Sequence, residues 1–207
     1  GTYSPARYTI YESERASIDR NIDPGDVNAP VIFNAPPEIT DTGLEVWVAV
    51  SGNDNWGGCY VWISEDGNTY KRIGAVQGPA RHGLLRNALP AGLTTDTVNT
   101  LAVELVGGSQ LGNGTQSDAT NLNTLCWVDG ELIAYQTATL TGAKQYGLTY
   151  LVRGAKNTTI ASHAVGDKFA RLDDAMFKYA FTKDQIGKTI YIKFTSTNTY
   201  GISEQSL

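Results

Sequence analysis

From Leu44 onward, apolar residues fall on every second position. In "LEVWVAVSG", Leu44, Val46, Val48 and Val50 share one face and Glu45, Trp47 and Ala49 the other, the period-two pattern of a strand with one face in a core. "GCYVWISEDGNTYKRIGAV" predicts a hairpin with arms over Cys59 to Ser64 and Tyr70 to Val76. Its turn, Glu65-Asp66-Gly67-Asn68, uses residues that tolerate left-handed backbone. Towards the other end, strands are predicted near Phe177 to Phe181 and from Thr189 to Ser196, separated by a turn at Lys183 to Gly187. Ile190, Ile192 and Phe194 share a face of the longer one, and a last strand follows Gly201. No helix longer than two turns is predicted after residue 30.

These two groups of strands, within 31–77 and 174–207, read as the halves of one fibronectin-type-III-like β-sandwich. The block between them, 78–173, reads as an inserted β subdomain. It holds "NTLAVELVGG", "LNTLCWVDGELIAYQTATL", "YGLTYLVRG" and "DKFARLD". Asp129-Gly130, flanked by strand residues, is the strongest hairpin signal in the chain. Gly107 to Asn123 is a long polar loop, of a length that is usually functional or disordered. Residues 1–30 read as a lead-in linker, in which "YESERASIDRNI" has the pattern of a short helix that "DPGDVNAP" ends. The expected fold class is all-β.

Composition narrows the function. At 207 residues the chain can bury a core without staples. Charged residues make up 18% and the net charge is −5, which argues against a nucleic-acid binder, since such proteins carry a basic face. A surface rich in hydroxyls and amides suits an extracellular or virion protein. No apolar run reaches the ~18 residues of a membrane span. The single methionine is Met176, and the chain begins at Gly1, so it reads as a piece of a longer polypeptide. Cys59 and Cys126 are too few for a disulfide framework or a four-cysteine zinc site. Free buried thiols are favoured over one long-range bridge.

Little in the sequence points to catalysis. His82 and His163 stand apart, with no zinc-protease motif, no nucleophile elbow and no phosphate-binding loop. Acidic residues cluster at turns (Glu65, Asp66, Asp129, Asp173, Asp174), where turn formation and solvation explain them, so a hydrolase reading rests on nothing local. Binding has one candidate, "SGNDNWGGCYVW", which sets Trp56 among Asn53, Asp54 and Asn55. An exposed Trp flanked by amides can stack on a sugar face. Asn53, Asn55, Trp56 and Tyr60 are therefore the candidate glycan or receptor contacts. The competing readings are a Trp56 plug over the sandwich edge, which is favoured, and a weak Ca²⁺ site. Trp47, Trp62 and Trp127 read as packing residues, and the sequons at Asn113 and Asn157 are at chance level.

One stretch, "YLVRGAKNTTIASHAVGDKF", gathers an arginine, a histidine and an aspartate. With the preceding "DGELIAYQTATL", it resembles the C-terminal region of bacteriophage tail-tip, or baseplate-hub, host-specificity proteins and the similar gene transfer agent hub protein. The shared features fall on Asp129, Gly130 and Glu131, on Leu151, Arg153 and Gly154, on His163, Gly166 and Asp167, and on Asp173. The family turn usually has Gly before Thr, whereas this chain has Asn157-Thr158. Asn is among the best non-glycine residues at positive φ.

The resemblance covers roughly 78–174. It implies a structural virion component, located at the phage or prophage tail tip, that takes part in assembly and in host-surface attachment. It implies other tail-tip proteins as partners, a host polysaccharide or receptor as a candidate partner, and a homotrimeric parent. The expectation is no enzyme, no cofactor, no metal and no nucleic acid; the alternative is a carbohydrate-binding module. Arg153, His163 and Asp167 are then structural: Arg153 pairs with a carboxylate or carbonyls, His163 hydrogen-bonds across the loop, and Gly166-Asp167 turns the chain into the next strand.

Overall fold

The computed structural model describes residues 23–198 and 202–204; the short helix expected over 11–22 lies outside them. In chain order the first strands are β1 (Val31–Asn34), β2 (Glu45–Ala49), β3 (Gly58–Ser64) and β4 (Lys71–Val76). Next come β5 (His82–Leu85), β6 (Thr95–Asp96), β7 (Leu101–Gly107), β8 (Cys126–Val128), β9 (Glu131–Gly142), β10 (Gln145–Val152) and β11 (Lys168–Arg171). The last are β12 (Phe177–Ala180), β13 (Tyr191–Thr197) and β14 (Ile202–Glu204). The fold is all-β, and the one α-helix among the described residues is the five-residue α1 (Gln116–Thr120).

Two antiparallel sheets, ordered β1-β2-β12 and β14-β13-β3-β4, combine strands from both ends of the chain. They share a core of Val48, Val50, Trp56, Cys59, Val61, Val76 and Phe194, so this is a two-sheet sandwich. Val27 joins that core and the Asn28 amide donates to Ser51 O at 2.8 Å, so the end of the lead-in belongs to the packed fold rather than to a linker. The β3–β4 hairpin turns where its residues predict.

Strand β2 departs from its one-faced expectation: both faces are buried. Val48 and Val50 enter the sandwich core, while Trp47 and Ala49 join Phe33, Trp127, Leu132 and Ala170 in a second cluster. The outer face of the three-stranded sheet lies against another body, so alternation here separates two cores rather than core from water.

That second body is a barrel. β10-β7-β5-β11-β8-β9 pair in order and β9 pairs back onto β10, closing a ring of six strands, while β6 adds to the end of β10. Its interior holds Leu101, Val103, Leu105, Cys126, Val128, Ile133, Tyr135, Leu148, Leu151 and Phe169. β7 shows the cause plainly, with Leu101, Val103 and Leu105 inside and Glu104 exposed. Leu148 and Leu151 both point inward although they lie three positions apart, an offset that puts side chains on opposite faces of a regular strand. Tyr150 at φ 53 makes the flip. The Gly107–Asn123 loop is ordered over one barrel end, where the Thr115–Asp118 capping box starts α1 and Leu111 enters the core.

Cys59 sits in the sandwich core and Cys126 in the barrel interior, both free. Occupying different cores, they cannot bridge, and burial pushes both thiols up to about 12.

Candidate functional site

Antiparallel closure brings the ends of β5, β8 and β10 and the starts of β7, β9 and β11 to one end of the barrel. The loops 86–100 and 153–167 cover that end, and a charge cluster sits beneath them. Arg153 follows β10, anchored by its amide donating to Thr94 O at 2.7 Å. Glu131 opens β9, directly after the Asp129-Gly130 turn (φ 37 and 95).

The guanidinium meets the carboxylate as a fork. Arg153 Nε donates to Glu131 Oε1 at 2.7 Å and Nη2 to Oε2 at 2.9 Å. Nη2 also donates to Ala161 O at 2.7 Å, and Nη1 to Pro90 O at 3.0 Å and to Asp96 Oδ2 at 3.5 Å. All five N–H groups of the guanidinium are used. Glu131 in turn accepts from the amides of Gly154 (3.0 Å) and Ala161 (3.1 Å) and pairs with His163 Nε2 at 2.8 Å.

Burial pushes the Glu131 carboxyl up, but the hydrogen bonds from His163, Arg153, Ala161 and Gly154 outweigh it and hold the group down at about 2. For Asp96 too, burial opposes ionisation, and the bonds from Asn99 and Val98 and the Arg153 charge reverse it, lowering its pKa.

The cluster is closed. The Arg153 side chain is 0% exposed, that of Glu131 1% and that of His163 2%, so no substrate reaches the charges. What the arrangement can do chemically is tie β9, the end of β10, the 86–100 loop and the 153–167 loop to one another. His163 reinforces the tie through backbone bonds in both directions with Leu89 (2.8 and 2.9 Å). Asp167 Oδ2 accepts from the Ala164 amide at 2.7 Å, and Gly166 takes φ 88, making the turn into β11. Asn157 takes φ 63, a left-handed position that asparagine tolerates better than most non-glycine residues.

Two partners in this cluster were not singled out from the sequence. Glu131 entered only as part of a hairpin, and Asp96 not at all. The one local signal for Asp96 is "DTVN", an Asx-type turn in which its Oδ1 accepts the amides of Val98 and Asn99. Nothing local joins it to Arg153.

The other candidates lie elsewhere. Trp56 is 8% exposed, its indole N–H donating to Ser196 Oγ at 3.2 Å within the sandwich core. It plugs the sandwich and presents no face for a sugar. Asn53 and Asn55 are exposed, with Asn53 Oδ1 accepting the Asn55 amide, and half-buried Tyr60 lies under the Arg72 guanidinium, 4.8 Å from the ring centre. Trp47 and Trp127 pack in the interface between the sandwich and the barrel.

His82 is buried with Nε2 2.7 Å from Ser51 Oγ, and desolvation drives its pKa down to about 4. A mostly apolar groove of about 530 Å³ opens on the sandwich, lined by Ile32, Val46, Tyr179, Phe181, Lys188 and Ile192. No helix among the described residues is long and apolar enough to cross a membrane.

Fold and site together define an all-β chain in which a two-sheet sandwich is interrupted by a six-stranded barrel with a salt-bridged end. Residues 80–170, the barrel with its entry segment, match the family model described as Rcc01698-like, C-terminal; the match spans less than half of the chain. No curated protein matches the chain.

Proposed function

We propose that this chain is a non-catalytic structural component of a phage or prophage tail tip, part of a larger hub protein that serves assembly and host-surface attachment. The observation that carries the reading is that Glu131, Arg153 and His163, residues of the tail-tip-like pattern, meet in one shielded brace. A pattern built for stability is what a mechanically loaded scaffold needs, whereas a catalytic one requires access. The sandwich is read as fibronectin-type-III-like: β1-β2-β12 and β14-β13-β3-β4 correspond to strands A-B-E and G-F-C-C′, with the barrel inserted between C′ and E. Its partners are other tail-tip proteins, and the parent is a homotrimer.

The carbohydrate-binding alternative loses its stacking platform with Trp56 indoors. Antibodies against this chain, applied to tailed particles from the strain that encodes it, are expected to label the distal end of the tail. Unlabelled particles, with the protein present in the same lysate, contradict the proposal.

A further inference from the structure

The brace leaves one of its own atoms unaccounted for. Both Glu131 oxygens accept N–H groups, from Arg153, Gly154 and Ala161, so in the 2.8 Å contact with this carboxylate the His163 Nε2 is the donor. The other ring nitrogen, Nδ1, makes no hydrogen bond among the described residues. It faces Asp167 Oδ2 at 3.8 Å, beyond hydrogen-bond length. Asp129, in the exposed β8–β9 turn, brings a second carboxylate. One ligand atom from each of Asp129, His163 and Asp167 lies within 4.8 Å of the others. Among the described residues, no side-chain hydrogen bond occupies Asp129.

We propose that Asp129, His163 and Asp167 bind a divalent first-row transition-metal ion at the outer edge of the barrel end. Two magnitudes favour an ion over a shared proton. An N–H···O bond needs about 2.7–3.2 Å, which 3.8 Å does not meet. Two ligands each about 2.0–2.2 Å from one ion lie up to about 4.4 Å apart, which 3.8 Å does meet. Asp129, being exposed, closes the remaining gap by side-chain rotation.

The imidazole is also prepared as a ligand. One nitrogen is fixed by the Glu131 carboxylate, which sets the tautomer and leaves the other facing Asp167, as in carboxylate–histidine–metal arrangements. One nitrogen and two carboxylates suit zinc, cobalt or manganese better than calcium or magnesium, which favour all-oxygen shells. The ion would cross-link the β8–β9 turn to the 153–167 loop and tighten the brace from outside. This inference stands on these three side chains and does not depend on the tail-tip reading.

The test uses the untagged chain stripped with chelator. Zinc alone is added while the thermal midpoint is followed, and cobalt alone while its visible absorption is recorded. Zinc is expected to raise the midpoint of the wild type, and cobalt to give a bound-ion spectrum. Asp129→Asn keeps a residue suited to the turn and should leave the metal-free midpoint unchanged while weakening zinc binding at least about tenfold, a loss at the lower end of that seen even for outer-shell partners. Asp167→Asn, which retains an oxygen for the Ala164 amide, should do the same. Absence of both responses at millimolar metal overturns the proposal, as does an equal zinc response in the Asp129→Asn/Asp167→Asn double variant.

Discussion

Arg153 illustrates how a residue type can declare its needs without naming its partners. A guanidinium inside a β-protein must find acceptors for five N–H groups, and it finds them on Glu131, Asp96, Pro90 and Ala161. Removing one member of a buried pair leaves an uncompensated charge and costs about 3–5 kcal/mol. Arg153→Ala is therefore expected to lose about that much in urea unfolding, and a change within about 0.5 kcal/mol would show that the brace carries no stability. His82 makes a second residue-scale case. Burial lowers its pKa from 6.5 to about 4, so the unfolded chain binds the proton more readily than the folded one. Its contribution is complete above pH 6.5 and is lost as pH falls towards 4, by on the order of 3 kcal/mol. Unfolding free energies at pH 7 and pH 4 should differ more for the wild type than for His82→Gln, and equal differences would remove His82 from the account.

At the scale of elements, turns and strands were the legible part, because both are governed by neighbours in sequence. Asp129-Gly130 and Glu65 to Asn68 turn where their φ preferences direct, and Asn157 occupies the left-handed position its type allows. A β-branched residue there pays the full left-handed cost of about 1–2 kcal/mol. Asn157→Val should lower the thermal midpoint accordingly, while Asn157→Gly should leave it unchanged or slightly higher; equal effects of the two would mean that backbone strain is not what the site selects. Tyr150 was not legible. Nothing in its type predicts φ 53, which is imposed by bringing both Leu148 and Leu151 into the barrel. The two faces of β2 were half legible: the alternation was right, but the second apolar environment belongs to strands far away in sequence.

The whole molecule is coupled through an interface. Phe33 stacks on Trp127 with ring centres 4.4 Å apart and planes 14° from parallel, within a cluster that spans the sandwich and the barrel. Where the two bodies join, Arg81 pairs with Asp173 at 2.6 Å, and Gly107 lets β7 approach Ser51, whose Oγ would lie 1.9 Å from any Cβ added there. Such a shared core makes the two bodies unfold together. Calorimetry of the wild type is expected to show one transition. Phe33→Ala, which loses about 3–5 kcal/mol of packing, should split it into two; a single transition in the variant would place the coupling elsewhere.

The amino-acid sequence by itself determined the all-β class, the positions of most strands, the hairpin turns, and that Arg153 and His163 would find partners within the fold. These follow from period, turn chemistry and hydrogen-bonding capacity, which act over a few residues. Only the tertiary structure decided that six strands close into a barrel, that Trp56 turns inward, and that Asp96 joins Glu131 around one guanidinium. Each of those depends on which distant segments meet when the sheet closes. Alternation records that a side chain is buried, but not against what.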